Sequence, residues 1–421
     1  MSAETFESTY LVETPLPLEK VAEIMAGEQS CGTFTRVEGE TDALRERARA
    51  IVVSVEDLGE AAQPSVPSAW LRRRGETRVS RRGRVVIRFP VANVGANLST
   101  LAATVAGNLF DLGEATGLRL EDVRVPTAYR HRFPLPRHGV AGTRRLTGVV
   151  RGAMVGSIIK PNVGLSASET GDLVARLCAA GLDFIKDDEI SADPDHAPLA
   201  ERIPAVMRSV RAHEDRTGKS VMVAFNITDE TDAMRRHADL IAREGGTCAM
   251  VSLNWCGFSA VETLRRHTDL VLHGHRNGYG AFSRHEALGI GFRAYQTLWR
   301  LAGVDHMHVH GLAGKFAQED VEVIDSARAC LTPLAEDDDR VLPAFSSGQW
   351  AGTVQPTYAA VGTSDLLFMA GGGIMAHPGG PAEGVASIRA AWVAAENGID
   401  LVEAARTDRA LAQALDFFGA R

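Results

Sequence analysis

The chain has 421 residues, 45 Lys+Arg against 53 Asp+Glu, a formal net charge of −8 and 45% hydrophobic content. These are ordinary values for a folded globular protein, and they exclude intrinsic disorder, a collagen repeat and a disulfide miniprotein. The length allows two or three domains, or a smaller domain beside one α/β barrel of roughly 250 residues.

In chain order, Ser8–Glu13 alternates like a strand, and Pro17–Gly27 carries helical spacing through Val21, Ile24 and Met25. Thr33–Val37 and Arg84–Val91 read as strands and Thr100–Asn108 as a helix. Strands and helices mixed without a βαβα rhythm predict a small α+β domain over residues 1–140. The Pro-, Arg- and Gly-rich stretch Phe133–Gly148 reads as a linker. Beyond it, eight short β-rich runs recur: Met154–Ile159, Leu182–Lys186, Ser220–Phe225, Cys248–Leu253, Leu270–His275, Asp305–His310, Arg340–Phe345 and Asp365–Met369. Amphipathic helical patterns separate many of them, among them Glu169–Ala180, Asp232–Glu244, Gly291–Ala302 and Ala382–Asn397. Eight strand–helix units over residues 141–421 predict a (β/α)8 barrel, the class being α/β, with a doubly wound open sheet as the competing architecture.

The acidic balance argues against a nucleic-acid partner. It leaves an anionic small molecule open, because charge inside a cleft outweighs the global sum. Cys31, Cys178, Cys248, Cys256 and Cys330 are odd in number and scattered, which predicts reduced thiols and a cytoplasmic setting. The first residues lack the basic segment and apolar run of a signal peptide. No uncharged apolar run is long enough for a membrane helix, so no membrane partner is expected.

Both candidate architectures place catalysis at the carboxyl ends of the strands. There the sequence shows Lys160-Pro161-Asn162, Lys186-Asp187-Asp188-Glu189, Asn226, Asn254, His275-Arg276-Asn277, His308 with His310, Ser346-Ser347-Gly348 and Gly371-Gly372-Gly373. On a strand, Phe184, Lys186 and Asp188 share one face, with Glu189 entering from the loop. Two carboxylates at that spacing suit a hard divalent cation, and a desolvated lysine between them has a lowered pKa. The competing reading is a solvated acidic turn with one salt-bridged lysine. His306, His308 and His310, at i, i+2 and i+4, also match a zinc-ligand pattern.

The segment Gly181–Glu189 resembles the metal-site segment of the ribulose bisphosphate carboxylase (RuBisCO) large subunit. Gly156–Ser166 resembles its first barrel strand and loop, and His273–Arg276, Asp305–His308, Gly314-Lys315-Phe316, Ser346-Ser347-Gly348 and Gly371–Pro378 resemble later parts of the same family in the same order. Glu28–Phe34 and Gly107-Asn108 resemble its N-terminal domain. The resemblance implies a Mg²⁺ ion held by Lys186, carbamylated by CO₂, with Asp188 and Glu189. It implies proton transfer by Lys160, with His275 as a second candidate. It implies a phosphate grip of Arg276, His308 and Ser347 beside Gly348, a second phosphate site at Thr33, Gly371 and Gly372, and Lys315 on a closing loop. It further implies a homodimer in which Glu28, Thr33 and Asn108 complete the neighbouring subunit's site, with higher assembly open.

Several positions depart from the carboxylase pattern. Asn162 stands where the family has a second lysine, Ile158 where it has threonine, Phe34 where it has tryptophan, and Gln349 where it has glycine. These changes spare the metal residues and one phosphate grip. They imply a RuBisCO-like protein acting on a phosphorylated keto-sugar or keto-sugar acid, with Gln349 and Asn162 offered to its other end. Retention of Lys160, His275 and Lys315 favours C–C cleavage, as in decarboxylases or C–C hydrolases of 3-oxo-isoapionate 4-phosphate. The alternatives are an isomerase or enolase of a methylthio-pentulose phosphate, a bisphosphate carboxylase, and a non-catalytic scaffold.

Overall fold

The computed structural model describes residues 4–32, 37–334 and 339–420. They form two compact units, Met1–Leu135 with Gly278–Ala302, and Pro136–Asn277 with Gly303–Arg421. In chain order the first strands are β1 (Thr5–Thr14), β2 (Ile51–Glu60), β3 (Arg81–Pro90) and β4 (Gly117–Arg124). Next come β5 (Met154–Ile158), β6 (Phe184–Lys186), β7 (Met222–Asn226), β8 (Cys248–Ser252) and β9 (Val271–His275). The last are β10 (Leu288–Ile290), β11 (His306–His308), β12 (Leu342–Phe345) and β13 (Leu367–Met369).

In the first unit the sheet order is β10-β4-β1-β3-β2. β1 and β3 pair antiparallel, Tyr10 opposite Val85, and both alternate buried with part-exposed residues, as a sheet with one covered face requires. β2 lies at the sheet edge with no fully buried residue, which is why its pattern, Ile-Val-Val-Ser-Val-Glu-Asp, does not alternate cleanly. β2, β4 and β10 escaped the sequence reading. The strand expected over Thr33–Val37 falls largely outside the described residues.

In the second unit eight parallel strands close into a barrel, β5 to β9 and then β11 to β13. Met307 opposite Gly274 and Leu367 opposite Met154 complete the ring. The eight strands fall on the eight β-rich runs of the sequence, seven of them within the expected bounds and β7 running one residue further, to Asn226. The barrel interior is filled by Met154, Phe184, Met222, Ala224, Cys248, Met250, Val271, Leu342, Ala344, Leu367 and Met369.

Phe133–Gly148 is not a plain linker. It contains the helix Gly139–Thr147, ended by Gly148 in the left-handed conformation. Its Val140 joins the barrel core. The helix start is fixed by Asp305, just before β11, whose Oδ1 accepts the N–H groups of Arg137, His138 and Gly139 at 2.9, 2.7 and 3.1 Å. Asp305 Oδ2 takes Leu272 N–H of β9 at 2.9 Å and the buried Arg265 guanidinium at 3.0 Å. Because Asp305 precedes β11 and Leu272 lies at the start of β9, the helix covers the amino end of the barrel. The carboxyl end is left for function.

Candidate active site

Lys186 ends β6 inside the barrel with 1% of its side chain exposed. Its Nζ donates to Asp187 O at 2.7 Å and lies 3.5 Å from Glu189 Oε2. Burial holds its pKa below the ordinary lysine value, against the pull of Glu189, Asp188 and Asp187. Asp188 is buried and its Oδ2 accepts from Lys160 Nζ at 2.8 Å, while Asn162 Oδ1 accepts from the same ammonium at 2.6 Å. For Glu189, burial acts upward, but Lys186, a backbone N–H and Lys160 outweigh it and hold the carboxyl below its usual range.

His275 Nε2 lies 3.5 Å from the same Glu189 oxygen. Its Nδ1 accepts the Asn277 N–H at 3.3 Å, so the ring hydrogen sits on Nε2, facing the carboxylate. Burial, then the Lys186 charge, pushes its pKa down to about 3, so the ring is neutral at pH 7.

Asp187 faces away from this cluster. It accepts Asn226 N–H at 3.0 Å and pairs with Arg202 at 3.2 Å, and burial raises its pKa. Asn226 Nδ2 in turn reaches Asp188 O and Glu189 O at 3.1 and 3.2 Å. Arg202 and Asn226 therefore hold the acidic turn in place. Asn226 was visible at a strand end, but nothing in its neighbourhood announced this partner, and Arg202 gave no sign.

The donor set decides what fits between these groups. Two carboxylates suit a hard cation, but an unmodified Lys186 brings nitrogen and a like charge. A carbamate on Lys186 supplies a third anionic oxygen, and the set then fits Mg²⁺. Asp193, Asp229 and His237 form a separate cluster with ligand atoms within 4.8 Å of one another, and both carboxylates there are solvated.

Arg276 follows β9 with 3% exposure and donates from Nη2 to Gln318 Oε1 at 2.6 Å. Ser347 and Gly348 after β12 have φ of 76° and 80°, a left-handed pair in which the non-glycine member carries strain. The Ser347 Oγ is buried and finds no hydrogen-bond partner among the described residues. A buried hydroxyl without a partner is costly, and a ligand oxygen would satisfy it.

Gln349 departs from the sequence expectation. It is 1% exposed, and its amide is spent on Leu312 O, Ser347 O and Thr353 Oγ1 at 3.1, 3.2 and 3.0 Å. It props the loop after β11 against Gly311, where a Cβ would meet the Gln349 amide at 2.2 Å. Scaffold bonds therefore occupy the side chain that was expected to face substrate. The His306–His308–His310 set does not converge either. β11 ends at His308, and φ of 67° at His310 turns the chain away. His306 and His308 bond instead to His273, whose role the sequence did not show.

Lys315 is exposed, with Nζ 5.2 Å from the Phe316 ring centre. Gly371 and Gly372 follow β13. In the other unit, Glu28 is exposed at the end of the helix Leu18–Glu28, and Asn108 is exposed at the start of Asn108–Asp111. Thr33 lies outside the described residues.

The ordered barrel ends define a RuBisCO-type α/β protein, and comparison places the chain within that class. The family model for the ribulose bisphosphate carboxylase large chain catalytic domain matches residues 139–418, and that for its N-terminal domain matches residues 9–129. The chain belongs to the ribulose bisphosphate carboxylase large-chain family. It is 46% identical over 417 residues to the 3-oxo-isoapionate-4-phosphate transcarboxylase/hydrolase of Xanthobacter autotrophicus, covering 99% of this chain and 100% of that protein. It is 41% identical over 412 residues to the 3-oxo-isoapionate-4-phosphate decarboxylase of Rhizobium etli, covering 97% and 98%. The crystal structure of a rubisco-like protein from Burkholderia fungorum superposes with a TM-score of 0.94 at 62% identity, covering 98% of this chain and 100% of that one. No helix among the described residues is long and apolar enough to cross a membrane, and all five cysteines are free thiols.

Proposed function

We propose that this protein cleaves a C–C bond of 3-oxo-isoapionate 4-phosphate or a close keto-sugar acid phosphate, in the cytoplasm, as a decarboxylase or a transcarboxylase/hydrolase. The observation that carries the reading is the meeting of Lys160, Lys186, Asp188, Glu189 and His275 at one barrel end. Lys160 lies 2.8 Å from Asp188, and Lys186 and His275 each lie 3.5 Å from Glu189. The names of two relatives above 40% identity over nearly the whole chain support it.

Lys186, as a carbamate, with Asp188 and Glu189 would hold Mg²⁺. That ion, when bound, supplies a Lewis acid for a ketone oxygen and so favours the enolate left when a β-carboxylate departs. Lys160, oriented by Asp188 and Asn162, delivers the proton to the enolate carbon. The neutral His275 ring turns its Nε2–H toward Glu189, 3.5 Å away. Arg276 and the Ser347 hydroxyl, with His308, receive the phosphate, the guanidinium fork matching its oxygens. Lys315 closes over the carboxylate end of the substrate. Gly371 and Gly372 admit the substrate backbone closely. We place Glu28, Thr33 and Asn108 at the neighbouring site of a homodimer.

The test offers the purified protein, with Mg²⁺ and bicarbonate, 3-oxo-isoapionate 4-phosphate and a methylthio-pentulose phosphate in separate reactions in D₂O. Turnover of the first with loss of the β-carboxylate bond is expected. Turnover of the second alone, with deuterium uptake and an intact carbon chain, overturns the proposal in favour of an isomerase or enolase.

A further inference from the structure

Beneath the site, three buried histidines and two hydroxyls form one unbroken line. Ser346 Oγ lies 3.1 Å from His308 Nδ1, and His308 Nε2 lies 2.7 Å from His273 Nε2. His273 Nδ1 lies 3.2 Å from His306 Nδ1, and His306 Nε2 lies 2.7 Å from Thr143 Oγ1. Thr143 Oγ1 is also 2.6 Å from Gly139 O. The three rings are 0 to 3% exposed. The line therefore runs from the covering helix Gly139–Thr147, at the amino end of the barrel, to the loop after β12 at the mouth.

Donor and acceptor counting fixes its direction. A carbonyl only accepts, so the Thr143 hydrogen points to Gly139 O, and Thr143 Oγ1 accepts from His306 Nε2–H. A neutral imidazole carries one hydrogen, which leaves His306 Nδ1 as acceptor from His273 Nδ1–H. His273 Nε2 then accepts from His308 Nε2–H, and His308 Nδ1 accepts from the Ser346 hydroxyl. Every nitrogen is used and every hydrogen has one place. Burial holds all three rings neutral, His306 at about 4 against the upward pull of Asp305, and His273 and His308 well below the ordinary value with neighbouring positive groups adding to the effect.

We infer that this line is a directional hydrogen-bond wire with its polarity set by Thr143, and that an anion arriving at His308 reverses it. The reversal half rests on the phosphate reading above. In the resting direction the His308 Nδ1 lone pair is taken by the Ser346 hydroxyl, so neither group offers a hydrogen to a phosphate oxygen. To donate there, His308 takes its hydrogen on Nδ1 and accepts at Nε2 from His273. His273 then accepts at Nδ1 from His306, and His306 accepts at Nε2 from the Thr143 hydroxyl, which leaves Gly139 O. Each ring keeps one hydrogen, and Ser346 is released to turn its own hydrogen to the ligand. Thr143, which touches no substrate, is thus a positioning residue for the phosphate end.

The test is ¹⁵N NMR of the histidine side chains in the full-length protein, assigned with single His→Gln variants, first without and then with inorganic phosphate. Without phosphate, His306 and His308 are expected as Nε2–H tautomers and His273 as Nδ1–H. The opposite pattern at any of the three overturns the wire. In Thr143→Val, the His308 Nδ1 resonance should move away from its bare-nitrogen position, and in Thr143→Ser it should stay. A His308 tautomer indifferent to Thr143→Val overturns the assignment of polarity to that residue, while a purely structural role would alter stability alone. With phosphate, all three tautomers should reverse together. If phosphate binds and the resting pattern persists, the reversal and the placement of phosphate at His308 both fall, while the reaction assignment is still judged by its own substrates.

Discussion

Gly371, Gly372 and Gly373 look alike in the chain, yet packing separates them. A Cβ on Gly373 would meet Gln349 O at 2.4 Å, whereas one on Gly372 meets nothing within 4 Å and one on Gly371 only Ile158 at 3.7 Å. The fold needs glycine at 373, and the ligand reading needs it at 371 and 372. Gly373→Ala should therefore lower unfolding stability by about 1–3 kcal/mol, as overpacking does. Gly372→Ala should leave the melting temperature unchanged and raise KM for the phosphorylated substrate. A lowered melting temperature in Gly372→Ala, or an unchanged KM, contradicts that division. Residue identity alone showed the candidate lysines and carboxylates, because charged groups gather densely at these strand ends, whereas the glycine run by itself read equally well as a plain turn. Identity did not show where a side chain turns, and so the committed amide of Gln349 and the clamp of Arg202 and Asn226 were invisible.

Strands of this barrel are tied to one another at their amino ends by aspartates. Asp183, before β6, accepts Val155 N–H of β5 at 2.9 Å and pairs with Lys219 and Arg389, each at 2.9 Å. Asp305 repeats the device for β9, β11 and the covering helix. Burial brings Arg265 down to about 10 against the pull of Asp305, so the guanidinium stays charged at pH 7 and depends on that partner. Asp305→Ala strands that guanidinium and four backbone donors, those of Arg137, His138, Gly139 and Leu272, and urea melts should show a loss of about 3–5 kcal/mol. The histidines of β9 and β11 make a second prediction. His306 sits at about 4 in the fold, against 6.5 for an ordinary histidine. Above pH 6.5 both folded and unfolded forms are neutral. As pH falls below 6.5 the unfolded chain takes a proton that the fold refuses, so stability drops by up to about 1.4 kcal/mol per pH unit for that group. His273 and His308 act in the same direction. Denaturant midpoints at pH 7.5 and pH 5 check this, and equal midpoints contradict it. The eight barrel strands were legible because each is buried along all or nearly all of its length and most carry apolar runs, with polar residues gathered at their carboxyl ends. β2 and the helix Gly139–Thr147 were not. The first is a one-sided edge strand, and the second is held by tertiary bonds to Asp305 and by Val140, despite a start rich in Pro and Gly.

At the scale of the whole molecule, a global charge of −8 says little about a site whose polar groups are Lys160, Lys186, Arg276 and Lys315 beside Asp188 and Glu189. Those residues come from strands widely separated in sequence, and only the closed ring brings them to one end. The homodimer proposal makes activity depend on concentration. Specific activity should fall on dilution in step with dimer dissociation followed by light scattering, and a fully active monomer contradicts shared sites. The central claim, that this barrel end breaks a C–C bond, is tested most directly by product analysis of uniformly ¹³C-labelled 3-oxo-isoapionate 4-phosphate with the Mg²⁺- and bicarbonate-treated protein. The account predicts two carbon-bearing products, either CO₂ with a shorter keto-sugar phosphate or two acids, and no such products from Lys186→Ala. Recovery of every labelled carbon in a single molecule would contradict it.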